Sequence, residues 1–158
     1  MPDSKILDAC DASSRSEQMR RSGAVIVFTN GVFDVLHPGH IQYLRQAREL
    51  GTHLFVAINT DESVKRIKGE KRPIFPLDDR LELLAALESV SLVTWFPEDT
   101  PAEIIREVRP QILVKGGDWK LEEIVGRDFV ESCGGTVRTI PFLAGYSTSA
   151  ILEKNARL

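Results

Sequence analysis

The chain has 158 residues, 42% of them apolar, a formal charge of −3 and two cysteines. Such a length suits one domain able to bury its own core, so neither a disulfide framework nor a structural metal is required. The negative charge argues against general nucleic-acid binding, no apolar run approaches the ~20 residues of a membrane span, and residues 1–22 lack the apolar stretch of a signal peptide. The expectation is a cytoplasmic protein without nucleic-acid or membrane partners.

Residues 1–22 read as a polar N-terminal segment, mobile over 1–10, with a short helix over 14–21; residues 23–158 read as one domain. The β-branched run 24–28 predicts a first strand. A glycine-bearing turn follows, and then an amphipathic helix, with Pro38 at its first position and the apolar pattern running over 41–50. Residues 53–58 predict a second strand. The segment 65–72, with five cations broken up by Gly69 and closed by Pro73, reads as a loop able to fold over anions. Residues 77–87 predict a helix, 92–96 a third strand, and 100–108 a short helix capped by Thr100. A fourth strand over 111–114, a helix over 121–132, a fifth strand over 136–140 and a helix over 147–154 complete the pattern. This alternation predicts an α/β fold: a Rossmann-like, doubly wound, five-stranded parallel sheet of order 3-2-1-4-5 in a single domain. In that order a ligand crevice opens at the carboxyl ends of strands one and four.

Two pieces of chemistry fall on that crevice. The turn after strand one ends in His37-Pro38-Gly39-His40. A helix start favours anions, and two imidazoles three residues apart add donors on the same side, an arrangement suited to polyphosphate. A His-x-x-His pair can also be half of a metal site, but no third ligand stands at a matching spacing. The turn after strand four carries Lys115, Gly116, Gly117 and Asp118. Among the cations of 65–72, Lys68 is favoured as a phosphate contact, with Lys71 and Arg72 as further candidates; Arg80 lies one turn into the next helix. Ser147 and Thr148 offer hydroxyls and amides at the last helix start. Trp119 is read as packing over the crevice. The turn 30–34 lacks the G-x-G-x-x-G spacing of nicotinamide enzymes.

The His37-Pro38-Gly39-His40 segment resembles the H-x-G-H signature of the cytidylyltransferase-like nucleotidyltransferases, and the likeness extends over nearly the whole chain. Residues 29–34, 68–73, 98–101 and 114–118 are most similar to the branch that adenylylates D-glycero-D-manno-heptose 1-phosphate. The resemblance implies catalytic roles for His37, His40 and Lys68. It implies nucleotide contacts from Thr29, Asn30, Gly31, Val32, Phe33, Gly39, Arg80, Lys115, Gly116, Gly117, Asp118, Ser147 and Thr148, and sugar-phosphate contacts from Asp34, Lys71 and Arg72. It further implies ATP and a sugar 1-phosphate as substrates and Mg²⁺ held through phosphates, with no direct protein ligand. A separate heptose-phosphate kinase and phosphatase would act in the same route. A homodimer is expected, through apolar positions of the helix at 81–87. Two departures separate the chain from the cytidylyltransferases that use CTP and glycerol 3-phosphate, the alternative reading. Leu143-Ala144 lacks their cation before the glycine, and Glu88-Ser89-Val90-Ser91 replaces their Arg-Tyr-Val-Asp. Tyr146 also stands where the family's closing signature has an aliphatic residue. A nucleotide-binding module without turnover is the alternative of another class.

Overall fold

Five apolar runs, each too short for a buried helix, form the strands of one sheet: β1 (Ile26–Gly31), β2 (His53–Asn59), β3 (Leu92–Phe96), β4 (Ile112–Gly116) and β5 (Thr136–Ile140). The structure is a computed structural model and describes residues 4–117, 119–143 and 145–157. All strand pairs are parallel and the order is β3-β2-β1-β4-β5, as the alternation predicts. Helices α1 (Ala9–Arg21), α2 (Pro38–Glu49), α3 (Asp61–Lys68), α4 (Leu77–Ala85), α5 (Ala102–Val108), α6 (Arg127–Ser132) and α7 (Thr148–Ala156) connect or flank them.

Because side chains alternate along a strand, β1 and β2 feed both faces of the sheet. Val27, Leu54, Val56 and Ile58 meet Leu44 and Ala47 of α2 and Leu81 and Leu84 of α4. Ile26, Phe28, Phe55 and Ala57 meet Ile104, Ile105 and Val108 of α5, Ala12 of α1 and Val130 of α6. Covered on both faces, the central strands read as unbroken apolar runs.

The structure departs from the sequence reading in several places. Helix α1 begins at Ala9, with Asp8 capping it by accepting from the Asp11 amide at 2.8 Å. Ahead of it, Ile6 bridges to Val93, the Val93 amide donates to Lys5, and Leu7 donates back to Val93. The segment that looks polar in sequence thus covers the open edge of β3, which would otherwise expose unpaired backbone groups.

Residues 61–68 form a helix rather than part of a loop. Thr60 caps it, Asp61 and Glu62 sit in its first turn and Lys65, Arg66 and Lys68 in its last, so the charge clustering that suggested an anion loop is the pattern a helix dipole favours. Helix α5 starts at Ala102 with no side-chain cap, leaving Thr100 outside it. The helix expected over 121–132 is split into a 3₁₀ turn (Leu121–Glu123) and α6. Gly126 makes the break: it adopts φ +90°, and a Cβ there would lie 2.6 Å from the Ile105 side chain. Of the leucines in α4 and the turn after it, only Leu83 is exposed, because Leu81 and Leu84 belong to the core and Leu87 packs against it. The helix face expected to meet a second subunit is therefore mostly interior.

Thr94 is fully buried in β3 and its hydroxyl has no hydrogen-bond partner among the described residues. Replacing it with the near-isosteric valine removes an unsatisfied polar group, so Thr94→Val should stabilise the protein by about 1 kcal/mol. A urea unfolding curve should show a higher midpoint with an unchanged slope; a lower midpoint would mean that the hydroxyl contributes a bond after all.

Candidate active site

The register of the sheet opens the site. Strand β1 pairs with β2 over its whole length, from Ile26↔His53 to Gly31↔Ile58. With β4 it pairs only at Val27↔Ile112 and Phe28↔Leu113, although both strands continue beyond. Past Phe28 and Leu113 they fork, and a cleft of about 310 Å³ lies at their carboxyl ends. Its walls are Asn30–Asp34 at the end of β1 and in the turn after it, His40 and Tyr43 of α2, Lys115 and Gly116 of β4, Lys68, Arg72, Trp119, Phe142 and residues 147–149.

His37 is the N-cap of α2 and His40 its third residue, and each ring serves the other's backbone. The His40 amide donates to Nδ1 of His37 at 3.4 Å, and the His37 amide donates to Nδ1 of His40 at 3.3 Å. This is a capping box built from two imidazoles. With Nδ1 accepting in both rings, the proton of each neutral ring belongs on Nε2, where it can be donated to a ligand. The rings stack with centroids 3.7 Å apart, Phe33 tilts against His40 at 5.2 Å, and Tyr146 lies over His37 at 5.8 Å. Burial and then the neighbouring His37 push His40 down to about 4, and burial alone lowers His37. A Cβ on Gly39 would fall 2.9 Å from the His37 ring and 3.1 Å from Tyr146, so glycine is what allows this packing.

Asp34 organises the opposite wall. Its side chain is wholly buried and accepts from the Ile74 amide, the Phe75 amide at 3.0 Å and Nε of Arg72 at 2.6 Å. Burial raises its pKa, but the Phe75 and Ile74 amides, followed by Arg72, outweigh that and hold it below the ordinary carboxylate value. Arg72 is thereby anchored through Nε at the cleft wall. Lys115 is half-buried with Nζ 5.3 Å from the centre of the Trp119 ring; burial first, and then Lys68, lower its pKa. Phe33, the residue before Asp34, holds φ +49°, a conformation that costs a bulky side chain of order 1–3 kcal/mol and that recurs at functional sites.

The sequence-expected residues divide clearly. Asn30, Gly31, Val32, Phe33, Asp34, His40, Lys68, Arg72, Lys115, Gly116, Ser147 and Thr148 line one cleft. His37 and Gly39 stand behind His40, beside a smaller hollow closed by Phe142, Leu143 and Tyr146–Thr148. The amide of Gly117 is taken by Ile140, and the Phe142 ring lies where a side chain at 117 would be. Three expectations are corrected. Arg80 is fully buried beneath the cleft, its guanidinium donating to Phe75 O, Val32 O, Asn59 O and the Asp61 carboxylate, so it ties loops together and does not face a phosphate. Thr29 is buried, with its hydroxyl paired to Tyr43 at 2.7 Å. Lys71 is exposed and outside the cleft wall. Asp118 lies outside the described residues. Sequence reasoning missed Tyr43 and Phe142; Tyr43 had a signal, being one helical turn past His40, whereas Phe142 had none.

A comparison with known proteins follows the same lines. The family described as cytidylyltransferase-like matches residues 28–154. The chain belongs to the cytidylyltransferase-like family. It is 52% identical over 149 residues to the bifunctional protein HldE of Marinomonas sp., covering 94% of this chain and 31% of that protein. It is 53% identical over 138 residues to HldE of Hahella chejuensis, covering 87% of this chain and 29% of the relative. The chain thus spans about a third of the length of these relatives. Among solved structures, the lipopolysaccharide core biosynthesis protein of Thermoplasma volcanium aligns with a TM-score of 0.63 at 34% identity, over 77% of this chain and 98% of that one. As a cytidylyltransferase-like protein, the chain carries its signature histidines where β1 and β4 part.

Two outcomes check the site as described. In a ¹⁵N-detected titration, both imidazoles should be neutral at pH 7 with the proton on Nε2, and His40 should titrate near pH 4, below its ordinary 6.5. Because the folded state resists that proton, stability should fall as pH drops from about 6.5 to about 4; a His40 midpoint at or above 6.5 would contradict the burial. Arg80→Met should lower unfolding stability by about 3 kcal/mol, since it leaves the Val32, Asn59 and Phe75 carbonyls without their buried donor. A normal unfolding curve with a raised KM for nucleotide would instead make Arg80 a ligand contact.

Proposed function

We propose that the protein is an adenylyltransferase joining ATP and D-glycero-D-manno-heptose 1-phosphate to give ADP-heptose and pyrophosphate. The carrying observation is the stacked imidazole pair at a helix start, each Nδ1 accepting a backbone amide, with His40 facing Lys68, Lys115 and Arg72 across one cleft. The resemblance of residues 68–73 and 114–118 to the heptose-phosphate branch supports the sugar, as do relatives named HldE and a solved neighbour named for lipopolysaccharide core biosynthesis.

A phosphate oxygen of the sugar phosphate attacks the α-phosphorus of ATP in line. The bond from that phosphorus to the bridging oxygen breaks, and pyrophosphate leaves with the electron pair. The nucleophile is already an anion, so a general base is unnecessary; catalysis is positioning and charge stabilisation. Nε2–H of His40 donates to the phosphoryl oxygens, and His37 stacks behind to hold the ring. Lys68 and Lys115 neutralise the triphosphate, and the free guanidinium face of Arg72, fixed by Asp34, takes the sugar phosphate. Ser147 spends its hydroxyl's lone pair on the Ala150 amide and keeps its proton for a phosphate. Among the described residues Asp34 is the one carboxylate on the cleft wall, and it is already engaged by two amides and Arg72. These residues suit an Mg²⁺ that arrives with the nucleotide and stays on its phosphates, not one held by the protein. Heptose-phosphate kinase and phosphatase reactions would supply the sugar 1-phosphate, and the setting would be cytoplasmic.

Pyrophosphate release measured across ATP, CTP and GTP with heptose 1-phosphate and glycerol 3-phosphate should be highest for ATP with the heptose. Preference for CTP and glycerol 3-phosphate would move the protein to the cytidylyltransferase reading, and nucleotide binding without release would make it a binding module. In the same assay His40→Ala should lower kcat by roughly 10²–10³-fold without unfolding the chain. Near-normal turnover in that variant would remove His40 from the mechanism.

A further inference from the structure

Tyr43 has no part in the chemistry above, yet it occupies the point on which the cleft's geometry turns. It lies on α2 one turn beyond His40, is 6% exposed, and its ring borders the cleft. Its hydroxyl donates to Val114 O at 3.3 Å and lies 2.7 Å from Thr29 Oγ1. With its only proton spent on Val114, it accepts from Thr29. Thr29 directly follows Phe28, and Val114 directly follows Leu113, the last pair of the β1–β4 ladder. The phenol is therefore a side-chain rung placed at the first step where the backbone rungs stop. The ring is seated close: a Cβ on Gly116 would lie 3.1 Å from it.

One oxygen atom thus ties together three elements that each carry part of the site. Helix α2 presents His37 and His40, β1 continues from Thr29 to Asn30, and β4 continues from Val114 to Lys115. We propose that Tyr43 is a positioning residue for phosphoryl transfer, whose bridging hydroxyl sets the separation between the imidazole-bearing helix start and Lys115. The proposal rests on the adenylyltransferase reading for its kinetic consequence, but its geometric content stands apart from it. A satisfied core tyrosine would contribute only stability; a positioning rung governs how well the two sides of the cleft meet a transition state, which small displacements spoil.

Tyr43→Phe deletes the hydroxyl and keeps the ring. In steady-state pyrophosphate release with ATP and heptose 1-phosphate, it should lower kcat about tenfold or more while the KM for ATP stays within about twofold. Thr29→Val should lower kcat in the same way, Thr29→Ser should keep it because only the hydroxyl is needed, and Tyr43→Phe combined with Thr29→Val should lose little more than Tyr43→Phe alone. A lower melting temperature with unchanged kcat overturns the proposal, as does a raised KM at constant kcat. Crystal structures of the wild type and Tyr43→Phe supply the second readout, with an increased separation of His40 from Lys115 expected. If the wild-type protein itself releases no pyrophosphate, the adenylyltransferase reading fails on its own account. The bridge is then judged on those structures: an unchanged separation overturns it, and an increase upholds it.

Discussion

Everything at the cleft depends on the parting of β1 and β4. In an open parallel sheet with right-handed crossovers, the connection leaving β1 passes over one face toward β2, while β4 arrives on the other side under a helix of the opposite face. The ladder stops at Phe28 and Leu113, and the turn after β1 and the end of β4 are left with backbone groups and side chains turned into one space. The fold creates the vacancy before any special residue is placed in it. The signature histidines, the Lys115-Gly116-Gly117 turn and the Ser147 helix start then converge there because each lies at the carboxyl end of the sheet.

The protein is acidic overall, so any affinity for anions has to be local, and the cleft gathers donors without crowding like charges. Two imidazolium ions with centroids 3.7 Å apart would repel strongly in a partly desolvated site. Burial favours the neutral form of both rings, and one backbone amide accepted on each Nδ1 leaves Nε2–H to donate, so they contribute donors and not charge. Formal positive charge is left to Lys68, Lys115 and Arg72, spread around the cleft wall. The buried ions beneath serve geometry. Asp34 pulls the Arg72–Phe75 stretch against the turn after β1, and Arg80 joins Val32, Asn59, Asp61 and Phe75. Each of these charges offsets its desolvation through several hydrogen bonds, which is the condition under which a buried ion is tolerated.

That contrast also explains what the sequence revealed. Strand existence, order and the location of the crevice were legible, because apolar runs of four to six residues alternating with helical patterns leave few topologies. The histidines, Lys68, Lys115, Arg72 and Ser147 were legible because spacing and chain position carry them to the sheet's carboxyl end. Arg80 misled because sequence shows charge but not direction: one turn into a helix, an arginine can point to solvent, to a ligand or into the protein. The cations of 65–72 misled for a related reason, since Lys65, Arg66 and Lys68 looked like an anion loop until Thr60 and the acids at 61–62 were seen to open a helix. Gly126 was the overlooked breaker: the helical pattern of 121–132 continues through it, and only the Ile105 side chain pressed against its backbone shows why the chain turns there.

The departures of the chain from its family's closing signature acquire a physical sense in the same space. Leu143 and Ala144 bring no cation to the segment before Gly145, but the neighbouring Phe142 lays its ring against Gly116 and Gly117, where a Cβ would come within 2.6–2.7 Å of it, and tilts toward Tyr43. Tyr146, in place of an aliphatic residue, continues the stack of His37 and His40. The cleft wall therefore joins the aromatic rings of Phe142 and Trp119 to cations from α3, β4 and the loop before α4. A nucleotide carries the same two characters, an apolar base at one end and a polyphosphate at the other. A site of this shape can orient it by matching each end to its wall, with no cation required on the segment that follows β5.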